Sequence, residues 1–204
     1  MKRSGNFGKM IKEAGILFAI TLIAGLILGF VNQLTADPIA KQQELKIQKA
    51  CAAVFAQAAS FEERAEDASG AAYQAAAGVR FGKVYTALAQ DGSVMGYVIG
   101  VTSTEGYGGD IEIMMGVTAE GHLNGISILS ISETPGLGMQ AGEVLVPQFT
   151  DKEVKTFQYT KSGAKADNEI DAISGATITT KAVTGAVNEG LDYFREVLQN
   201  GGVQ

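Results

Sequence analysis

A chain of 204 residues has room for one compact domain and an anchor, but is short for two full domains with separate cores. Its formal charge of -6 supplies no basic patch for phosphate, so nucleic acid is not expected as a partner. A single cysteine, Cys51, and a single histidine, His122, exclude an intrachain disulfide and most Fe–S, haem and zinc ligand sets; redox chemistry here would need an organic cofactor, and no metal site is expected.

In chain order, residues 1–13 carry Lys2, Arg3, Lys9 and Lys12 against one acidic residue, Glu13. Residues 14–31 then read AGILFAITLIAGLILGFV, an uncharged run near the lower length limit for a bilayer-spanning helix, which Asn32, Gln33 and Leu34 extend toward the interface. We therefore expect a transmembrane helix over residues 14–34, retained because Leu34-Thr35-Ala36 fits a leader-cleavage pattern poorly. The basic flank places the N-terminus in the cytoplasm and everything after about residue 35 outside. Asp37-Pro38 reads as an N-cap and first-turn proline opening a second helix to about residue 59, and residues 60–78 as a solvated, Ala-rich connection. Residues 35–78 together form a helical connector in this reading.

From residue 79 onward the pattern changes. Turn signals at Gln90-Asp91-Gly92-Ser93 and Ala119-Glu120-Gly121-His122 separate β-rich runs, which predicts an antiparallel meander with strands near 83–89, 94–102, 111–117 and 123–130. Val183, Val187, Leu191, Phe194 and Leu198 step by three or four residues and form the apolar face of a closing C-terminal helix. The expected architecture is mixed α+β: one transmembrane helix, a further helix, then a sheet domain over residues 79–204.

Three segments carry chemistry. Residues 171–180, DAISGATITT, bring small and hydroxyl residues to the start of that helix, where backbone N–H groups and the helix dipole would favour a phosphate and Gly175 allows close approach. An ordinary cluster of capping hydroxyls explains the same residues, and Asp171 serves equally as a turn residue. Residues 132–138, SETPGLG, form a Pro-Gly turn in which Glu133 and Thr134 offer hydrogen bonds and Leu137 and Gly138 a flat apolar approach; a tight loop between strands is the plainer account. Residues 105–111, EGYGGDI, place Tyr107 and Gly108 in a glycine turn before a strand, with Tyr107 available for ring stacking.

The string DAISGATIT resembles the flavinylation motif of the G subunits of Rnf-type complexes and the C subunits of sodium-pumping quinone reductases, and ETPGLG and GYGGDI resemble two further signatures of the same FMN-binding family. All three stand in family order after an N-terminal anchor, and length favours the Rnf G subunit. The resemblance implies FMN joined through its phosphate to Thr177 by a dedicated flavin transferase. It implies a cofactor site built from Ser174, Gly175, Ala176, Glu133, Thr134, Leu137, Gly138, Tyr107 and Gly108, with Asp171 as a recognition or local hydrogen-bond residue. The implied function is an electron-transfer subunit of a membrane-bound ferredoxin:NAD oxidoreductase complex, with the other subunits and the membrane as partners and no catalytic residues of its own. The alternatives are the quinone-reductase subunit, an anchored flavin-binding regulatory module without relay, and a scaffold that holds no cofactor.

Overall fold

The computed structural model describes residues 4–65 and 73–199. The chain divides into two compact units, one up to Leu45 and one from Lys46 onward.

The described residues of the first unit are all helical, as part of α1 (Ser4–Val54). Its most apolar 18-residue window has a mean hydropathy of 2.6 and none of that window is buried. Ile16, Phe18, Ile23 and Leu28 are all more than half exposed, so the helix is apolar all round rather than on one face, as a lipid-facing segment is. Thr21 returns its hydroxyl to Leu17 O at 3.0 Å, which satisfies that polar group within the helix itself. The structure corrects the reading of Asp37-Pro38 as the opening of a new helix: Pro38 lies inside α1. Once a long helix has been nucleated, propagation through flanking Ala, Gln, Glu and Lys outweighs the local cost of one missing donor. The helix ends at Val54, short of residue 59.

The second unit is a five-stranded antiparallel sheet in the order β1 (Ser60–Arg64), β2 (Val79–Leu88), β3 (Val94–Ser103), β4 (Ile111–Thr118), β5 (Leu123–Ser130). Strands β2 to β5 fall where the alternation and turn residues place them. β1 does not, and it corrects the reading of residues 60–78 as wholly solvated connection: residues 60–64 pair in register with β2, Ser60 opposite Leu88 and Arg64 opposite Val84. The later part of that segment, residues 66–72, lies outside the described residues.

Alternation sorts the sheet into two faces. Ile99 and Val101 of β3 and Ile111, Ile113 and Met115 of β4 point to one side, where they pack with Val183, Ala186, Val187 and Leu191 of the C-terminal helix. Val98, Met114 and Ala87 point to the other and meet Ala50, Cys51, Val54 and Phe55 at the end of α1. After β5 the chain makes a 3-10 turn (Gly138–Gln140), a short helix α2 (Ala141–Val144) and a second 3-10 turn (Val146–Phe149). Two three-residue strands, β6 (Gln158–Thr160) and β7 (Glu169–Asp171), then pair in parallel and deliver the chain to α3 (Thr177–Tyr193). α3 lies close on the sheet because Gly190 has no side chain: a β-carbon there would overlap Met115 Sδ.

Candidate functional site

The first turn of α3, the loop after β5 and the glycine loop before β4 meet at one cleft of about 490 Å³, within the usual range for a small-ligand site. It is lined by Tyr107, Glu133, Thr134, Leu137, Gly138, Gly175, Ala176, Thr177, Ile178 and Thr179.

Each wall has a local cause. Thr134 O accepts the Leu137 N–H at 3.1 Å, with Pro135 and Gly136 between them. Gly136 has φ +76°, which glycine supplies at the third position of such a turn without steric cost. Gly175, at φ +75°, turns the chain from β7 into α3. The N-cap residue Ala176 carries only a methyl group, which cannot accept a hydrogen bond, and among the described residues no side-chain bond caps the start of α3.

The hydroxyls at this helix start are not equivalent. Thr180 is fully buried; it accepts the Ile173 N–H at 3.1 Å and donates to Ala176 O at 3.0 Å. Thr179, also buried, donates to Glu133 Oε2 at 3.1 Å. Thr177 is half-buried, lines the cleft and makes no hydroxyl hydrogen bond among the described residues. Both Glu133 oxygens face the protein, since Oε1 accepts the Gly108 N–H at 3.2 Å. Around the mouth stand three apolar side chains that remain open, Tyr107 at 71% exposure, Ile178 at 51% and Leu137 at 38%.

Of the residues singled out in the sequence, Tyr107, Glu133, Thr134, Leu137, Gly138, Gly175, Ala176 and Thr177 line the cleft. Gly108 stands behind it and reaches it through the Glu133 bond. Ser174 and Asp171 are not among the lining residues. Asp171 is a local acceptor: its Oδ1 takes the Ala164 N–H at 2.6 Å, and its own N–H donates to Gln148 Oε1 at 2.7 Å. Lys181 faces Glu105 in an exposed ion pair at 3.4 Å. Sequence reasoning missed Ile178 and Thr179 as lining residues, although both stand within the motif string. The helical position of Thr177 puts its two successors in the same first turn, and that was the available signal.

This arrangement fits a phosphate-bearing, flat aromatic ligand. Uncapped amides suit the phosphate, an open hydroxyl stands at the same helix start, and three exposed apolar side chains share the lining with Gly138 and Gly175. The FMN-binding domain family matches residues 106–192, a span that holds every lining residue. The RnfG N-terminal region matches residues 1–54, the span of α1. The molecule is thus an FMN-binding domain behind a long apolar helix of the kind that anchors a protein in a membrane.

Among relatives, the G subunit of the Na(+)-translocating ferredoxin:NAD(+) oxidoreductase complex of Acetobacterium woodii is 35% identical over 190 residues, covering 89% of this chain and 90% of the relative. The G subunit of the proton-translocating complex of Clostridium ljungdahlii is 32% identical over 189 residues, covering 89% and 93%. The chain belongs to this family, the G subunits of ion-translocating ferredoxin:NAD oxidoreductase complexes. The crystal structure of Shewanella oneidensis NqrC shares the fold, with a TM-score of 0.53 at 15% identity over 74% of this chain and 87% of that one.

Proposed function

We propose that this chain carries FMN covalently on Thr177 and serves as an electron relay in a membrane-bound ferredoxin:NAD oxidoreductase complex. The observation that supports attachment at Thr177 is its hydroxyl: it lines the cleft and, unlike those of Thr179 and Thr180, makes no hydrogen bond among the described residues. A threonine hydroxyl is a weak nucleophile at neutral pH, so the chain is the substrate of a separate flavin transferase. In that step the Thr177 Oγ–phosphorus bond forms as the pyrophosphate bond of FAD breaks. AMP leaves, and the hydroxyl proton passes to the transferase.

When bound, FMN supplies a carrier that exchanges one or two electrons. The chain's own residues hold and frame it. The first-turn amides of α3 would hold the phosphate, Gly138 and Gly175 line the cleft without side chains, and Tyr107, Leu137 and Ile178 would flank the ring with apolar surface. Partners are the other subunits of the complex, which pass electrons to and from this site between ferredoxin and NAD.

Thr177→Val tests the attachment, because it removes the hydroxyl while keeping volume and branching. The expected result is a folded subunit, within about 1 kcal/mol of wild type, that shows no flavin fluorescence after denaturing electrophoresis. Mass spectrometry of the wild-type peptide spanning residues 170–181 should place the adduct on Thr177; an adduct on Thr179 or Thr180 would move the site. The basic residues flanking only the N-terminal side of the apolar run support a cytoplasmic N-terminus and an outer FMN domain. A reporter fused after Gln204 should therefore score as extracytoplasmic, and cytoplasmic activity of the fusion overturns that orientation.

A further inference from the structure

Glu133 is a carboxylate only 8% exposed, at the meeting point of three segments distant in sequence. Its two oxygens are divided between them: Oε1 takes the Gly108 N–H of the glycine loop, and Oε2 takes the hydroxyl of Thr179 in the first turn of α3. The surrounding backbone is shaped for it. A β-carbon on Gly138 would stand 2.9 Å from Oε2 and 2.5 Å from Thr179 Oγ1, and one on Gly106 would stand 2.8 Å from Oε1. Two glycines thus leave the space that a buried carboxylate needs in order to reach both donors. The contact is with the Thr179 side chain, so the first-turn amides of α3 are not consumed by it. A negative charge beside a helix N-terminus is also favoured by the helix dipole.

From this geometry we propose that Glu133 is a positioning residue for cofactor loading. By tying Thr179 to the glycine loop it fixes the first turn of α3, and with it the direction of the Thr177 hydroxyl two residues earlier, before any flavin arrives. This rests on Thr177 being the attachment residue. It assigns Glu133 to the apo chain as the transferase meets it, rather than to the flavin ring.

The side chains make different demands that variants can separate. Gly108 N–H is an obligate donor, whereas the Thr179 hydroxyl both donates and accepts. Glu133→Gln can therefore keep both contacts, its carbonyl accepting from Gly108 and its amide donating to Thr179. Glu133→Ala keeps neither and leaves the Gly108 N–H and the Thr179 hydroxyl without this partner. Thr179→Val removes the same link from the other end, and Thr179→Ser retains it.

The test uses full-length apo protein made without the transferase, then purified transferase and FAD, with labelling followed over time and mapped by mass spectrometry. Misplacing a nucleophile lowers the rate of attack, whereas misfolding lowers the fraction of chains that ever react. Glu133→Ala and Thr179→Val are expected to lower the labelling rate constant by roughly 10-fold or more with most of the final amplitude retained. Glu133→Gln and Thr179→Ser should recover most of the rate. If Glu133→Ala fails to fold, the two Thr179 variants carry the same comparison. Wild-type rate constants in Thr179→Val, or a Glu133→Gln protein of normal melting temperature that labels as slowly as the alanine variant, overturn the proposal. Thr177→Val run alongside separates the two readings: label persisting in that variant rejects Thr177 as the attachment residue, while its loss together with normal rates in the other variants rejects only the positioning role.

Discussion

The two faces of the sheet are covered by helices with different duties. Under α3 the large side chains Ile99, Val101, Ile113 and Met115 build a core continuous with Phe149, Phe157 and Ile173, and the start of that same helix forms one wall of the cleft. On the opposite face the residues are fewer, and glycines let the cover approach closely: a β-carbon on Gly116 would stand 2.9 Å from Val54 Cβ and 3.0 Å from Phe55 Cε2. None of the residues buried on that face lines the cleft. Thus one helix both stabilises the domain and forms a wall of its cleft, while the end of the other stabilises the domain without reaching the cleft.

This contrast predicts that stability and cofactor loading separate by face. Phe55→Ala empties a buried site on the α1 side and should cost about 4 kcal/mol, yet leave the loading rate of the folded protein unchanged well below its melting temperature. Ile173→Ala, on the α3 side, should cost less, about 3 kcal/mol, but also slow loading: its buried side chain packs the core under the turn before Thr177, and the cavity loosens the backbone that bonds Ala176 and Thr180. Chemical denaturation gives the first quantity and time-resolved labelling the second. A Phe55→Ala protein that is folded but does not load would break the division. The smallest effect is expected from Lys181→Gln: its ion pair with Glu105 is exposed, so the melting temperature should reflect about 0.5 kcal/mol or less.

The sequence carried the sheet from β2 to β5 because alternation and glycine turns act locally, and it carried the meeting of three motifs through their resemblance to one family, since each alone reads as an ordinary cap, loop or turn. It did not carry β1. Ser60–Arg64 is an edge strand whose side chains are largely exposed, so no apolar alternation marks it, and only its pairing with β2 makes it a strand. β6 and β7 are too short for any period to appear. Pro38 misled in the opposite direction, since a residue that favours a first turn is tolerated inside a helix once the flanks propagate strongly. At the site, composition identified Glu133 but not its direction. A carboxylate in a loop offers hydrogen bonds to whatever comes near, and only the folded positions of Gly108 and Thr179 decide that both are internal.

The exposure of Tyr107 and Ile178 has a consequence for how the cofactor is kept. A cleft whose flanking side chains stay exposed leaves part of a bound ring in solvent, so the occupancy of a freely diffusing nucleotide there would follow its concentration. The phosphoester proposed on Thr177 would remove that dependence, because a tethered ligand meets its site at a fixed effective concentration with no dissociation step. With such a bond, grip and access would cease to compete: the cleft could stay open, leaving the ring edge within reach of a redox partner while the bond secured the cofactor.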